Sequence, residues 1–198
     1  MARIPYLDQQ DVPEEYRKLL TTHLEDSLSN VEEYDNVVEQ NVAGGSRNIY
    51  RLFAHEPEIL RSHRAHLTAM WETFQISPRE RELALLALAR ELRAEYEWHH
   101  HMPVARDEGI SRVELEAIAD GDYDIFDDRE TAILEYAEKF AQRRVDDETH
   151  ERVAESYNDN AMLGLSVLLG FYVFMGYTLD ALDIDIEDEF VGWELENL

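Results

Sequence analysis

Cysteine is absent from the 198 residues. That excludes a disulfide, a thiolate nucleophile and any sulfur-ligated zinc or iron–sulfur site, so chemistry in this chain runs on carboxylates and imidazoles. Basic residues are scarce: 18 Lys and Arg stand against 44 Asp and Glu, for a formal net charge of -26, and Lys18 and Lys139 are the only lysines. Such a surface repels nucleic acid and anionic lipid, so neither is expected as a partner. Self-repulsion also opposes folding where the Debye length is about 8 Å, and concentrated salt relieves it. With 44% hydrophobic residues the chain is too apolar for an acidic disordered segment, and the composition reads as a folded protein from a salt-accumulating cytoplasm. Long apolar runs are missing as well. The longest, Ala161 to Tyr177, is interrupted by Gly164, Ser166, Gly170 and Gly176, and Met1-Ala2-Arg3-Ile4-Pro5 opens no signal-peptide stretch. No membrane span and a cytoplasmic location are expected.

Alternating strand patterns are also lacking, whereas apolar residues recur every three or four positions, so the fold class is all-α. Helix starts are marked by Ser77-Pro78-Arg79-Glu80, Ser111-Arg112-Val113-Glu114 and Asp127-Asp128-Arg129-Glu130, each a capping residue three positions ahead of a glutamate. The spacing predicts helices near 12–26, 30–42, 46–54, 56–73, 78–93, 95–108, 111–119, 128–143, 146–156 and 159–181. Five prolines and no low-complexity tract leave no room for a long linker, so one domain is expected: an N-terminal helical extension (1–45), a main helical unit (46–185) and an acidic tail (186–198). The tail is expected on the surface or against a neighbouring subunit.

Two helices should form the centre. Leu83, Leu85, Leu86, Leu88 and Leu92 alternate with Ala84, Ala87 and Ala89, apolar nearly all round, as a helix covered on every side requires. In the second, Met162 to Leu182, three glycines recur six residues apart and suggest close helix packing or oligomer contacts.

The segment Tyr96-Glu97-Trp98-His99-His100-His101 carries the candidate chemistry. Glu97 and His101 are four apart on one helix face, so the carboxylate can fix the imidazole tautomer and make the other nitrogen a better base. Tyr96 and Trp98 are expected to wall the pocket and raise the carboxyl pKa. Spacing alone more often describes a solvated surface pair. His99 and His100 cannot share the face of His101 and are expected at the rim or surface. His63 and His66 are three apart and His55 is eight before His63, but Pro57 argues against one helix carrying all three as metal ligands.

Arg81-Glu82-Leu83 through Ala89-Arg90, then Glu95-Tyr96-Glu97-Trp98, His101, Ala105 and Gly109 together resemble the signature of the carboxymuconolactone decarboxylase and alkyl hydroperoxidase D-like superfamily. Ala54-His55-Glu56-Pro57 upstream, and Gly170-Phe171-Tyr172 with Leu179-Asp180-Ala181-Leu182 downstream, extend the resemblance over roughly residues 50 to 185. It implies an orthogonal helical bundle of the alkyl hydroperoxidase D type, a homotrimer or homohexamer, and a site at or near a subunit interface. The peroxidase branch carries two cysteines where this chain has Ala94 and Glu97, which removes thiol-dependent peroxide reduction. The decarboxylase branch has the Glu-x-x-x-His that Glu97 and His101 match.

The resemblance therefore implies cofactor-independent decarboxylation or proton transfer on a small carboxylated lactone or related acid. His101 is then the proton donor, Glu97 its orienting partner and Glu82 a second carboxylate. Arg81, ahead of Arg90 and Arg93, would hold a substrate carboxylate, and Tyr172 would either donate a phenolic hydrogen bond or pack in the core. Two rival readings stay open: a metal-assisted oxidoreductase or hydrolase with Glu82, Glu97 and His101 as ligands, and a non-catalytic oligomeric scaffold. The N-terminal arm, with His23 and Tyr34, would cover the pocket or extend an interface.

Overall fold

A computed structural model describes residues 1–21 and 47–198, all helix and loop with no strand among them. The helix expected over 30–42, His23 and Tyr34 lie outside these residues. Among the described residues, nine α-helices run α1 (Lys18–Thr21), α2 (Asn48–Phe53), α3 (Pro57–Thr73), α4 (Pro78–Leu92), α5 (Glu95–Asp107), α6 (Arg112–Asp120), α7 (Asp128–Ala141), α8 (Asp147–Ala154) and α9 (Asp159–Leu182). Where a helix was expected from residue 12, the described part is two 3-10 turns, Gln9–Asp11 and Glu14–Tyr16, followed by α1. Pro13 sits between the turns as the cap of the second, its missing N–H interrupting the ladder.

Helix α4 is the hub, packed by α5, α6, α7 and α9. Ser77 accepts from the Glu80 N–H while Glu80 reaches back to the Ser77 N–H, and Pro78 opens the first turn. Every residue from Glu80 to Ala89 is buried. Leu83, Leu85, Leu86 and Leu88 are each at most 2% exposed, which at about 1.5–3 kcal/mol per fully buried leucine is a large part of the core's stabilisation. Arg93 ends the helix in the left-handed region at φ 51°, and α5 starts at Glu95. This tight turn holds α4 and α5 side by side.

Helix α9 is long and apolar enough to cross a bilayer by length and composition, yet half of its apolar window is packed inside the protein, as in a core helix. Its glycines divide into two kinds. A Cβ on Gly164 would meet Phe74 at 3.2 Å, and one on Gly176 would meet Ala94 at 3.4 Å. Close packing within the chain accounts for both. A Cβ on Gly170 would meet only Phe140 Cζ at 3.9 Å, an ordinary contact, so nothing in the described chain offsets the ~1 kcal/mol a mid-helix glycine costs relative to alanine.

The C-terminal segment is not the surface tail its acidity suggested. After Asp183, left-handed at φ 53°, the chain folds back across α5. Val191 and Leu195 are buried at 1% and 0% exposure, and Trp193 packs on Trp98 at 5.3 Å between ring centroids. Apolar residues spaced among the acids give this strap its own purchase on the core.

Candidate active site

The neighbouring α4 and α5 bring Glu82 and His101 together, 19 residues apart in sequence. His101 Nδ1 lies 2.6 Å from Glu82 Oε2, and Arg81 Nε donates to Glu82 Oε1 at 2.9 Å. Glu82 is fully buried. Burial alone would raise its pKa, but the charges and hydrogen bonds of His101 and Arg81 hold it below the usual carboxylate value. An ionised carboxylate only accepts, so His101 Nδ1 carries the proton and Nε2 faces the other way.

Opposite Nε2 stands Glu97 Oε2, 3.8 Å off, too far for a hydrogen bond. Sequence spacing paired Glu97 with His101 as its orienting partner; the structure gives that place to Glu82. Glu97 is 7% exposed, and its Oε1 is buried without a hydrogen-bond partner. Burial pushes its carboxyl up, against the opposing pull of His101 and Arg47. One imidazole thus lies between an ionised carboxylate and one held toward its neutral form.

Aromatic rings close the arrangement. Tyr172 on α9 meets His101 edge-on at 5.0 Å, and burial raises its phenol pKa well above the ordinary value. Trp71 on α3, which no motif singled out, lies 6.5 Å from His101 and 6.4 Å from Tyr172. The Arg81 guanidinium stacks over Trp71 at 4.3 Å. Arg81 is 7% exposed and committed to Glu82 and Trp71, so it does not present the open carboxylate clamp expected of it. Trp98 is fully buried against Trp193 of the C-terminal segment, and it is not among the residues lining the cavity beside Glu97.

His99 and His100 are interior residues, 0% and 3% exposed, rather than rim residues. Each holds the strap. The Val191 N–H donates to His99 Nδ1 at 3.0 Å, and His100 Nε2 lies 2.7 Å from Glu187 Oε2. Burial pushes both imidazoles down to about 4. Glu187 also accepts from Tyr96 Oη at 2.9 Å and from the Asn48 N–H. Although burial would raise it, these bonds with His100 hold it at about 2. Tyr96 therefore belongs to the strap network as well as to the cavity wall.

A cavity of about 250 Å³ opens between the start of α5 and the end of α9, with Ala94, Tyr96, Glu97, Gly176 and Leu179 among its walls and Arg93, Glu95, Asp180 and Asp183 also lining it. Of the Glu82–His101–Glu97 row, only Glu97 lines this cavity. Two guanidiniums bear on this wall: Arg93, ranked behind Arg81 in the sequence reading, and Arg47, which went unnoticed there. Arg93 lines the cavity, and Arg47, whose charge acts on Glu97, has Nη2 buried without a hydrogen-bond partner.

Among the described residues no three His, Asp or Glu side chains are arranged to hold a metal ion. Both Glu82 oxygens are already taken by His101 and Arg81. The three upstream histidines form no ligand set either. His55 bonds the Pro5 carbonyl, His63 is buried between Phe53 and Phe171, and His66 lies on Phe171.

Residues 57–139 match the model of the Carboxymuconolactone decarboxylase family. No curated protein matches the sequence. Among solved structures, a peroxidase-related protein with an alkylhydroperoxidase AhpD core from Ralstonia eutropha JMP134 superposes with TM-score 0.75 at 19% identity, over 98% of this chain and 96% of that one. A peroxidase-related protein from Silicibacter sp. TM1040 gives 0.74 at 17%, over 96% and 93%. The debrominase Bmp8 gives 0.73 at 16%, over 92% and 90%. These likenesses establish a shared fold.

Proposed function

We propose that this chain, which belongs to the carboxymuconolactone decarboxylase and alkyl hydroperoxidase D-like superfamily, is a cofactor-independent proton-transfer enzyme working through Glu97, His101 and Glu82. The observation that carries the reading is the unpartnered, pKa-raised carboxyl of Glu97 on the cavity wall, backed by an imidazole that an ionised Glu82 orients. A scaffold has no use for two buried carboxylates around one histidine, one with its pKa lowered and the other with its pKa raised, an arrangement that costs stability.

The substrate class that fits is a small carboxylated lactone or related acid, decarboxylated or isomerised. In decarboxylation the bond from carbon to the carboxylate breaks, carbon dioxide leaves and the electron pair enters the conjugated lactone carbonyl. The protonated Glu97 then delivers its proton to carbon. Its carboxylate regains a proton from water entering the cavity it lines, which balances the one delivered to carbon, while burial and the opposing charges of His101 and Arg47 set how readily that proton is held. Glu97 replaces His101 as the group that meets substrate, because Glu97 lines the cavity. Arg93, with Arg47 behind Glu97, takes over from Arg81 as the counter-charge for a substrate carboxylate.

The test is a screen of carboxylated lactones in concentrated salt against wild type, His101→Ala and Glu97→Gln. Turnover by wild type lost in both variants supports the reading. Equal turnover in all three removes it.

A further inference from the structure

The outward face of α9 is unlike the rest of this acidic molecule. From Asn160 to Leu179 the sequence contains no Asp, Glu, Lys, Arg or His. Leu163, Phe174 and Tyr177 on this helix are 65%, 50% and 61% exposed. With Val167, Gly170 and Ala181, all at least partly exposed, they form a stripe stepping alternately by four and three residues, the spacing of a helix seam that seats another helix. Gly170 lies at its middle. It is also the one α9 glycine that no close contact within the described chain explains.

We propose that α9 packs antiparallel against α9 of a second copy of this chain, across a two-fold axis at Gly170. The stripe is self-complementary about that point, as an interface between identical patches must be. Leu163 and Tyr177 each lie seven residues from Gly170, so each meets the other across the axis. Phe174 of one copy falls over Ser166 and Val167 of the other, large against small, and the two glycines let the backbones approach at the crossing. A parallel pairing would set Phe174 on Phe174 and Tyr177 on Tyr177, and would align the helix dipoles unfavourably.

Charge also selects the occupant. Two chains of net charge -26 repel wherever their acidic surfaces meet, and this strip, with no ionisable carboxylate between Asn160 and Leu179, is where approach costs least. A helix of 24 residues is about 36 Å long, enough to run the seam across the molecule. The pairing requires an even number of subunits. It is compatible with the hexamer expected from the family resemblance and incompatible with a bare trimer, which has no two-fold axis.

Sedimentation equilibrium in concentrated salt tests this. Wild type is expected at twice the 23.2 kDa chain mass or a higher even multiple, and Gly170→Leu and Phe174→Glu are each expected to halve it. Gly170→Ala should keep the fold, since its Cβ meets only Phe140 at 3.9 Å, and helical circular dichroism checks that the other variants remain folded. Since the chain has no cysteine, orientation can be read by cross-linking: oxidised Leu163→Cys/Tyr177→Cys should form a covalent dimer that neither single variant forms. A wild type of one- or three-chain mass overturns the proposal and hands the face to another occupant, such as the chain's own residues 22–46. So does a folded Gly170→Leu of unchanged mass, and cross-linking of Leu163→Cys alone overturns the antiparallel arrangement.

Discussion

Replacing Glu82 by glutamine changes one atom in a fully buried side chain and should damage both stability and rate. The carboxylate accepts from two donors, His101 Nδ1 at 2.6 Å and Arg81 Nε at 2.9 Å. An amide has one acceptor oxygen and turns an N–H toward the other donor. If the oxygen stays on Arg81, the His101 ring has to shift its proton to Nε2, and it then faces Glu97 as a donor rather than an acceptor. Removing one member of a buried ion pair costs about 3–5 kcal/mol. For a domain of this size each kcal/mol moves the melting midpoint by about 2–4 °C, so a drop of about 6–20 °C is expected. Salt should not restore it, because the pair is shielded from solvent. Turnover should fall by about 10²–10⁴, the usual contribution of a positioned acid or base. Thermal unfolding followed by circular dichroism, with nitrogen NMR of the His101 ring to read the tautomer, measures both parts. A midpoint within about 2 °C of wild type, with the ring proton still on Nδ1, would refute the claim that an ionised Glu82 anchors the histidine.

Further outcomes follow from the other buried ionisable groups. Glu97 has a folded pKa above its ordinary 4.5, so its contribution is fully present below about pH 4.5 and is lost as pH rises through the folded value. Glu97→Gln should therefore be more stable than wild type at pH 8 and similar at pH 4, as urea midpoints will show; a variant no more stable at pH 8 contradicts the raised pKa. His63, His99 and His100 are each lowered from 6.5 to about 4. The stability they protect is intact above pH 6.5 and drains as pH falls toward 4, at about 3 kcal/mol apiece. Since total stability is about 5–15 kcal/mol, the protein should unfold between pH 4 and 5, and a cooperative native melt at pH 4 would contradict this. His63→Phe, which removes two ring nitrogens that have no partner, should stabilise by about 1–3 kcal/mol at pH 7 and by more at pH 5, where the imidazole lowered to about 4 costs the wild type further stability. The net charge of -26 predicts a melting midpoint that climbs between 0.1 and about 2 M potassium chloride; a flat response removes the case for salt adaptation.

The features legible in sequence were those set by neighbours along the chain. The capping box at Ser77 and the even apolar surface of Leu83 to Leu88 placed α4 almost to the residue, because both signals act within one helical turn. The same local reasoning put Glu97 beside His101 and stopped there. Which carboxylate the imidazole would bond depended on how α4 lies against α5, and that orientation is set by the whole core. Trp71 escaped notice for the same reason: it reaches His101 from α3, across a contact with no sequence spacing to announce it. His99 and His100 were misplaced because their partners, Val191 and Glu187, sit in a segment whose acidity hid its apolar residues.

The position of Glu97 on the cavity wall has a stereochemical consequence. His101 and Glu82 lie behind that carboxyl and do not line the cavity, so a substrate carbon in the cavity meets its proton from one side. Run in deuterium oxide, the reaction should yield product labelled in a single configuration at the protonated carbon. A label scrambled between the two faces would mean that bulk water, not the wall, supplied the proton.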